Sequence, residues 1–228
     1  MRIAELYRSI QGEGRLTGVD SVFVRTSGCN LRCWFCDTPF TSWLPEGEDW
    51  SVDDIVARVT DLATSHVVIT GGEPMLFAEL VPLCDRLHTV GYHITIETAG
   101  TLHLPVHCDL MSISPKMAGS APSEFEHPRW HARHERTRHQ PQIVRRLLDE
   151  YDYQLKFVID TPADVDEVER YLMEFTSVDR GQVMLMPQGT NIESLNDRAH
   201  WLEPLCDARG FQYCRRRHIE WFGFQRGT

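Results

Sequence analysis

No stretch of this 228-residue sequence is apolar for long enough to read as a membrane span. The longest apolar runs are a few residues, and the opening MRIAELYRSIQGEG lacks the apolar h-region of an export signal. Positive charge is also short. Lys and Arg total 23 against 33 Asp and Glu, a formal charge of −10, which argues against general affinity for nucleic acid or an anionic membrane. No internal repeat or low-complexity linker breaks the chain into units. One further absence is local. CNLRCWFCDT places Cys29, Cys33 and Cys36 at spacing C-x3-C-x2-C, and no fourth cysteine or histidine stands nearby.

What is present fits an ordinary globular protein, with 42% apolar and 25% charged residues. Seven cysteines cannot all pair. Without an export signal the expected setting is a reducing cytoplasm, where clustered cysteines bind metal more often than they bridge.

Periodicity alternates strand and helix. Short β-branched or apolar runs predict strands at 21–26, 66–70, 92–98, 108–114, 154–159 and 182–186. Helical patterns start at Ser51, with Asp54 as a variant capping box, and cover about 77–90, 161–175 and 194–208, the last stopping at Gly210. Six βα-type units predict a mostly parallel α/β sheet, either open and doubly wound or a partial barrel. In both, the polar motifs that follow the strands share the C-terminal face, where ligands bind. Residues 117–142 break the rhythm and carry His127, His131, His134 and His139. They read as a polar surface excursion placed to act as a lid or subunit contact, with His127 and His131 spaced to chelate if the segment is helical.

Three thiolates suit an iron–sulfur cluster with one iron left open, since a structural zinc site would be closed by a fourth ligand. Cys84, Cys108, Cys206 and Cys214 read as small apolar residues away from the motif. TGGEP (70–74) places a glycine pair at a strand end, where backbone can approach a ligand closely.

The cysteine motif after a first strand, with Phe35 just before its last cysteine, resembles the radical S-adenosylmethionine (SAM) superfamily. That resemblance implies a [4Fe–4S] cluster on Cys29, Cys33 and Cys36 whose open iron holds SAM, and a fold of the partial (β/α)6 TIM-like barrel type. SIQGEG (9–14), VFVRTSGCNLRCWFCDT (22–38), VVITGGEP (67–74), IETAGT (96–101), ISPK (113–116) and HIEWFGFQRGT (218–228) are similar to one family within it, the 7-carboxy-7-deazaguanine synthases. The likeness covers most of the chain apart from 39–65 and 117–142, so 1–228 is expected to be a single radical SAM domain with a His-rich insertion at about 117–142.

The family's reaction contracts 6-carboxy-5,6,7,8-tetrahydropterin to 7-carboxy-7-deazaguanine with loss of ammonia and regenerates SAM. The resemblance implies SAM contacts from Phe35, Asp37, Gly72, Ser114, Pro115, Lys116, Met186, Pro187, Gln188 and Gly189. It implies substrate contacts from Ile10, Gln11, Gly12, Arg25, Thr70, His218 and Thr228, and Mg²⁺ on Thr38. Arg25 also has a rationale of its own, because a guanidinium at a strand mouth can grip a carboxylate through two parallel bonds. No side chain is assigned as acid or base. A flavodoxin or ferredoxin type reductant, a homodimer, and neither nucleic acid nor membrane partners complete the expectation. The alternatives are a radical SAM activase acting on a glycyl-radical partner protein, and an iron–sulfur carrier or zinc module.

Overall fold

The computed structural model describes residues 1–176 and 178–228. Among these residues the strands are β1 (Arg2–Ile10), β2 (Asp20–Thr26), β3 (Glu48–Asp49), β4 (His66–Gly71), β5 (His93–Thr98), β6 (Leu110–Ile113), β7 (Tyr153–Ile159), β8 (Val183–Pro187) and β9 (Gln212–Tyr213). They form one sheet in the order β3-β1-β2-β4-β5-β6-β7-β8-β9. Every neighbouring pair from β2 to β9 is parallel, and β1 runs antiparallel to β2 and β3. Residues of β1 and of β8, far apart in that order, line one cavity. The sheet is therefore curled into a partial barrel, which settles the choice that periodicity left open.

All six strands expected from the sequence are present within two residues of their anticipated ends. Strand alternation explains both the core and the site. Val22, Val24, Val67, Ile69, Ile94, Ile96, Met111, Ile113, Leu155, Phe157 and Ile159 face one way into the main hydrophobic core. Their neighbours Arg25, Thr70, Glu97, Ser112 and Lys156 face the cavity instead. A period of two thus separates an apolar exterior face, covered by helices, from a polar interior one.

The helices are α1 (Pro39–Ser42), α2 (Val52–Asp61), α3 (Leu80–Val90), α4 (Pro128–Arg138), α5 (Pro141–Glu150), α6 (Pro162–Leu172), α7 (Ile192–Arg209) and α8 (Arg217–Phe222). The Ser51 hydroxyl accepts the Asp54 N–H at 3.1 Å, as the capping variant predicted. Gly210 ends α7 with φ of +73°, a conformation open to glycine.

Residues 117–142 carry regular structure. They include all of α4, and α5 begins at Pro141. A stretch so rich in Arg and His shows little apolar periodicity, so sequence patterning passes it over. His131 bonds through Nδ1 to the Pro122 carbonyl at 2.9 Å, and His127 packs on Trp43 with ring centres 4.9 Å apart. Neither belongs to a ligand trio, because no group of three His, Cys, Asp or Glu side chains among the described residues could hold a metal ion. Among those residues, too, no helix is long and apolar enough to cross a membrane.

Candidate active site

Cys29, Cys33 and Cys36 lie on the loop between β2 and α1 and line a cavity of about 440 Å³ at the C-terminal mouth of the barrel. Leu31, Ala99 and Phe35 form an apolar sleeve around them. Burial pushes the thiols of Cys29 and Cys33 up to about 12, so their thiolates need metal charge beside them to form. Three thiols without a fourth protein ligand beside them suit a multi-iron cluster better than a closed structural zinc site.

The GGEP turn is built against this loop. Gly72 N–H donates to the Thr26 carbonyl at 3.1 Å and Glu73 N–H to the Gly28 carbonyl at 2.8 Å. A Cβ on Gly72 would run into that Gly28 carbonyl. The close approach that requires glycine here is thus to the chain's own backbone as well as to a ligand in the cavity. The carboxylate of Glu73 is fully buried and accepts from Thr98 Oγ1 at 2.8 Å, Ala99 N–H at 2.9 Å and Met75 N–H at 3.1 Å. Burial raises its pKa against the pull of those donors. Its role is to lock this turn to the end of β5.

Across the cavity stands a network of paired charges. Lys156 Nζ lies 2.5 Å from Glu13 and 3.6 Å from Glu97, and Thr70 donates to Glu97 at 2.8 Å. Arg25 donates to Glu5 at 2.9 Å and to the Tyr7 hydroxyl at 2.8 Å. Arg25 and Thr70 are register neighbours on β2 and β4, which explains why a strand-end Arg and a strand-end Thr meet one ligand space. Burial opposes charge on Glu13, but Lys156 and Arg216 outweigh it and hold its pKa well below the ordinary carboxylate value. Lys156, disfavoured by burial, is held charged by Glu13 and Glu97.

The C-terminal segment closes this side. Arg216 donates to Glu13 at 3.1 Å, to the Gly189 carbonyl at 2.6 Å, and to Asp37. Burial works against the Asp37 carboxylate, yet the Arg216 guanidinium keeps its pKa below the usual value. Burial lowers the pKa of His218 despite nearby Glu13, favouring the neutral imidazole. Gly12 admits α8 closely, since a Cβ there would lie 2.6 Å from that of His218. Arg226 donates to Glu5 at 2.9 Å and to Glu46 at 3.0 Å and stacks on Phe40 at 3.7 Å.

Of the positions expected from the sequence, Ile10, Gln11, Gly12, Arg25, Phe35, Asp37, Thr38 and Thr70 line the cavity with the cysteines. Gly72, Ser114, Lys116, Met186, Gln188, His218 and Thr228 do so too. Pro115, Pro187 and Gly189 stand behind its wall, Gly189 being the residue whose carbonyl receives Arg216. Lys116 folds back, donating to the Ser114 carbonyl at 2.8 Å and hydroxyl at 2.7 Å. Glu5, Tyr7, Glu13, Glu97, Lys156, Arg216 and Arg226 also line the cavity and carried no assignment. One signal was available for Lys156. Lys116 and Lys156 are the sole lysines in a chain otherwise served by arginine, and both face the cavity.

Residues 23–117 match the radical SAM superfamily, which implies a [4Fe–4S] cluster and SAM. A 7-carboxy-7-deazaguanine synthase of Rhodopirellula baltica is 45% identical across 99% of this chain and 88% of its own length. The chain belongs to that synthase family. A synthase of Halobacterium salinarum is 46% identical over 95% of this chain and 88% of its own. The crystal structure of QueE from Escherichia coli, 25% identical, superposes with a TM-score of 0.73 over 95% of this chain and 94% of its own. The partial barrel is thus the synthase fold.

Proposed function

We propose that the enzyme contracts 6-carboxy-5,6,7,8-tetrahydropterin to 7-carboxy-7-deazaguanine with release of ammonia, as a radical SAM lyase. The observation that carries this reading is that one cavity joins the three cysteines to the QGEG loop, Arg25 and Thr70. The full-length likeness to synthases supports it, and no activase stands among the relatives named above.

When bound, the cluster and SAM supply a 5′-deoxyadenosyl radical that removes and returns one hydrogen atom. The rest is positioning. Cys29, Cys33 and Cys36 would hold the cluster. Phe35, Asp37, Gly72, Ser114, Lys116, Met186 and Gln188 would line SAM, with Pro115, Pro187 and Gly189 shaping the turns behind. Arg25 would turn from Glu5 to grip the substrate carboxylate through two parallel bonds. Thr38 has its hydroxyl 3.3 Å from that of Thr41 and would hold Mg²⁺ beside that carboxylate. Ile10, Gln11 and Gly12 would meet the pterin through backbone. Thr70 and neutral His218 offer it hydrogen bonds, and Thr228 would close over it.

The chain 1–228 would work as a single domain, as a homodimer fed by a flavodoxin or ferredoxin type reductant. The cytoplasm is its proposed location, supported by seven unpaired thiols. The test is anaerobic reconstitution with iron and sulfide, reduction, and addition of SAM, Mg²⁺ and the pterin. 7-Carboxy-7-deazaguanine is expected in excess of both enzyme and free 5′-deoxyadenosine. Deoxyadenosine without that product would overturn the substrate assignment.

A further inference from the structure

The segment 117–142 covers the outer side of the cysteine loop. Arg32, between Cys29 and Cys33, donates its backbone N–H to His134 Nδ1 at 3.1 Å. Trp34 donates its backbone N–H to the Ser120 carbonyl at 3.2 Å and its indole N–H to the Gly119 carbonyl at 2.7 Å. The Arg32 guanidinium stacks on the Trp130 ring of α4 at 4.2 Å, and Arg133 lies 5.4 Å from the same ring. Among the described residues no acidic side chain bonds to this pair. Arg32 Nε is buried without a hydrogen-bond partner, while its Nη1 donates to the Cys29 and Leu31 carbonyls.

Helix α4 carries four arginines against one glutamate, whereas the chain as a whole stands at −10. Arg129, Arg133 and Arg136 recur at i, i+4 and i+7, one stripe of the helix, and all three are exposed. Among the described residues none of these three side chains pairs with a carboxylate, while Arg138 is the one bound to Glu135. The cysteine loop exposes Trp34 at 51%, and the approach to α4 exposes Phe125 at 95%. Glu124 and Glu126 precede the helix in the chain.

An unpaired basic stripe that meets the cysteine loop through Trp130 and Arg32, on an acidic protein, describes a docking surface for an anion-rich protein. We infer that Arg129, Arg133 and Arg136, with Arg32 and Trp130 beneath, form the surface on which an acidic one-electron carrier protein docks to reduce the cluster. The inference rests on the cluster assignment above and extends it to a partner. One electron leaves the carrier's reduced flavin or iron centre and enters the cluster through the 29–36 loop, with no bond made or broken. Position favours this occupant over nucleic acid, because only an electron donor gains from lying against the cysteine loop.

The holoenzyme can be tested without substrate. Reduced flavodoxin is mixed with the oxidised holoenzyme, and cluster reduction is followed by stopped-flow absorbance across a range of salt concentrations. In Arg129→Glu/Arg133→Glu/Arg136→Glu the rate is expected to fall about 10- to 100-fold at low ionic strength, and the wild-type salt dependence to disappear. The corresponding triple Gln variant should lie between, and dithionite should reduce all three proteins equally. An unchanged flavodoxin rate would overturn the inference. So would an equal loss with dithionite, which would mean a damaged cysteine loop, or a changed oligomeric state at an unchanged rate, which would make the face a contact between copies. Dithionite-driven product formation separately tests the pterin assignment.

Discussion

Arg216 donates to a carboxylate oxygen of Asp37 across 179 positions of chain, tying the start of α8 to the residue that follows the last cysteine. The same guanidinium reaches Glu13 in the QGEG loop and the carbonyl of Gly189 after β8. Three separate walls of the cavity therefore share one buried cation.

Arg216→Ala should leave the half-exposed Asp37 without its bonded cation and take from buried Glu13 one of its two partners, Lys156 remaining. The loss is expected to be about 1–3 kcal/mol, measured by denaturant unfolding, with weakened SAM binding. Asp37 and Glu13 both have depressed folded-state pKa values. Their contribution is present above the unfolded value, near 4, and is lost as pH falls through the folded one. Acid should therefore narrow the gap between wild type and variant.

Arg25→Lys keeps the charge but not the planar fork. For a carboxylated pterin, kcat/KM is expected to fall about 10- to 100-fold. Release of deoxyadenosine in the absence of substrate should stay near wild type. A matching fall in that uncoupled reaction would place Arg25 at the SAM end instead.

Gly72→Ala forces a methyl group against the Gly28 carbonyl. We expect about 1–3 kcal/mol of destabilisation and a lower iron content after reconstitution, because Gly28 adjoins Cys29. Iron and sulfide analysis alongside a thermal melt checks both.

His134 accepts from Arg32 N–H at Nδ1 and lies 2.9 Å from Ser120 Oγ at Nε2, a pairing that requires the neutral ring. Burial lowers its pKa to about 4. Between the unfolded value near 6.5 and that folded value, the unfolded chain binds a proton that the folded chain refuses. Stability should then fall by about 1.4 kcal/mol per pH unit on acidification through this group. His134→Gln should flatten the slope by that amount in unfolding curves taken from pH 6.5 to 4.5.

Much of this architecture was legible in the residues. The six buried parallel strands announced themselves as apolar runs, and the polar residues at their C-terminal ends converge as the fold class requires. β1 was not legible, because its cavity side carries Glu5 and Tyr7 and a register irregularity lies between Ile3 and Glu5. Those features defeat a pattern built on alternating burial. Arg216 was hidden for another reason. In Arg215-Arg216-Arg217 only the middle residue is buried, at 6% exposure, and nothing local distinguishes it from its neighbours. Glu13 and Lys156 lie 143 positions apart, and such a partnership has no local signature. The cysteine loop, by contrast, is local chemistry at fixed spacing and reads directly.

The covering of that loop by α4 has a consequence for the newborn chain. Cys29, Cys33 and Cys36 leave the ribosome about a hundred residues ahead of His134 and Trp130, which close over them. At translation rates of about 5–20 residues per second, the thiols stand uncovered for roughly 5–20 s. Within that interval an oxidant could capture them as readily as an iron–sulfur donor. The same helix that later shelters the loop makes delivery a matter of timing.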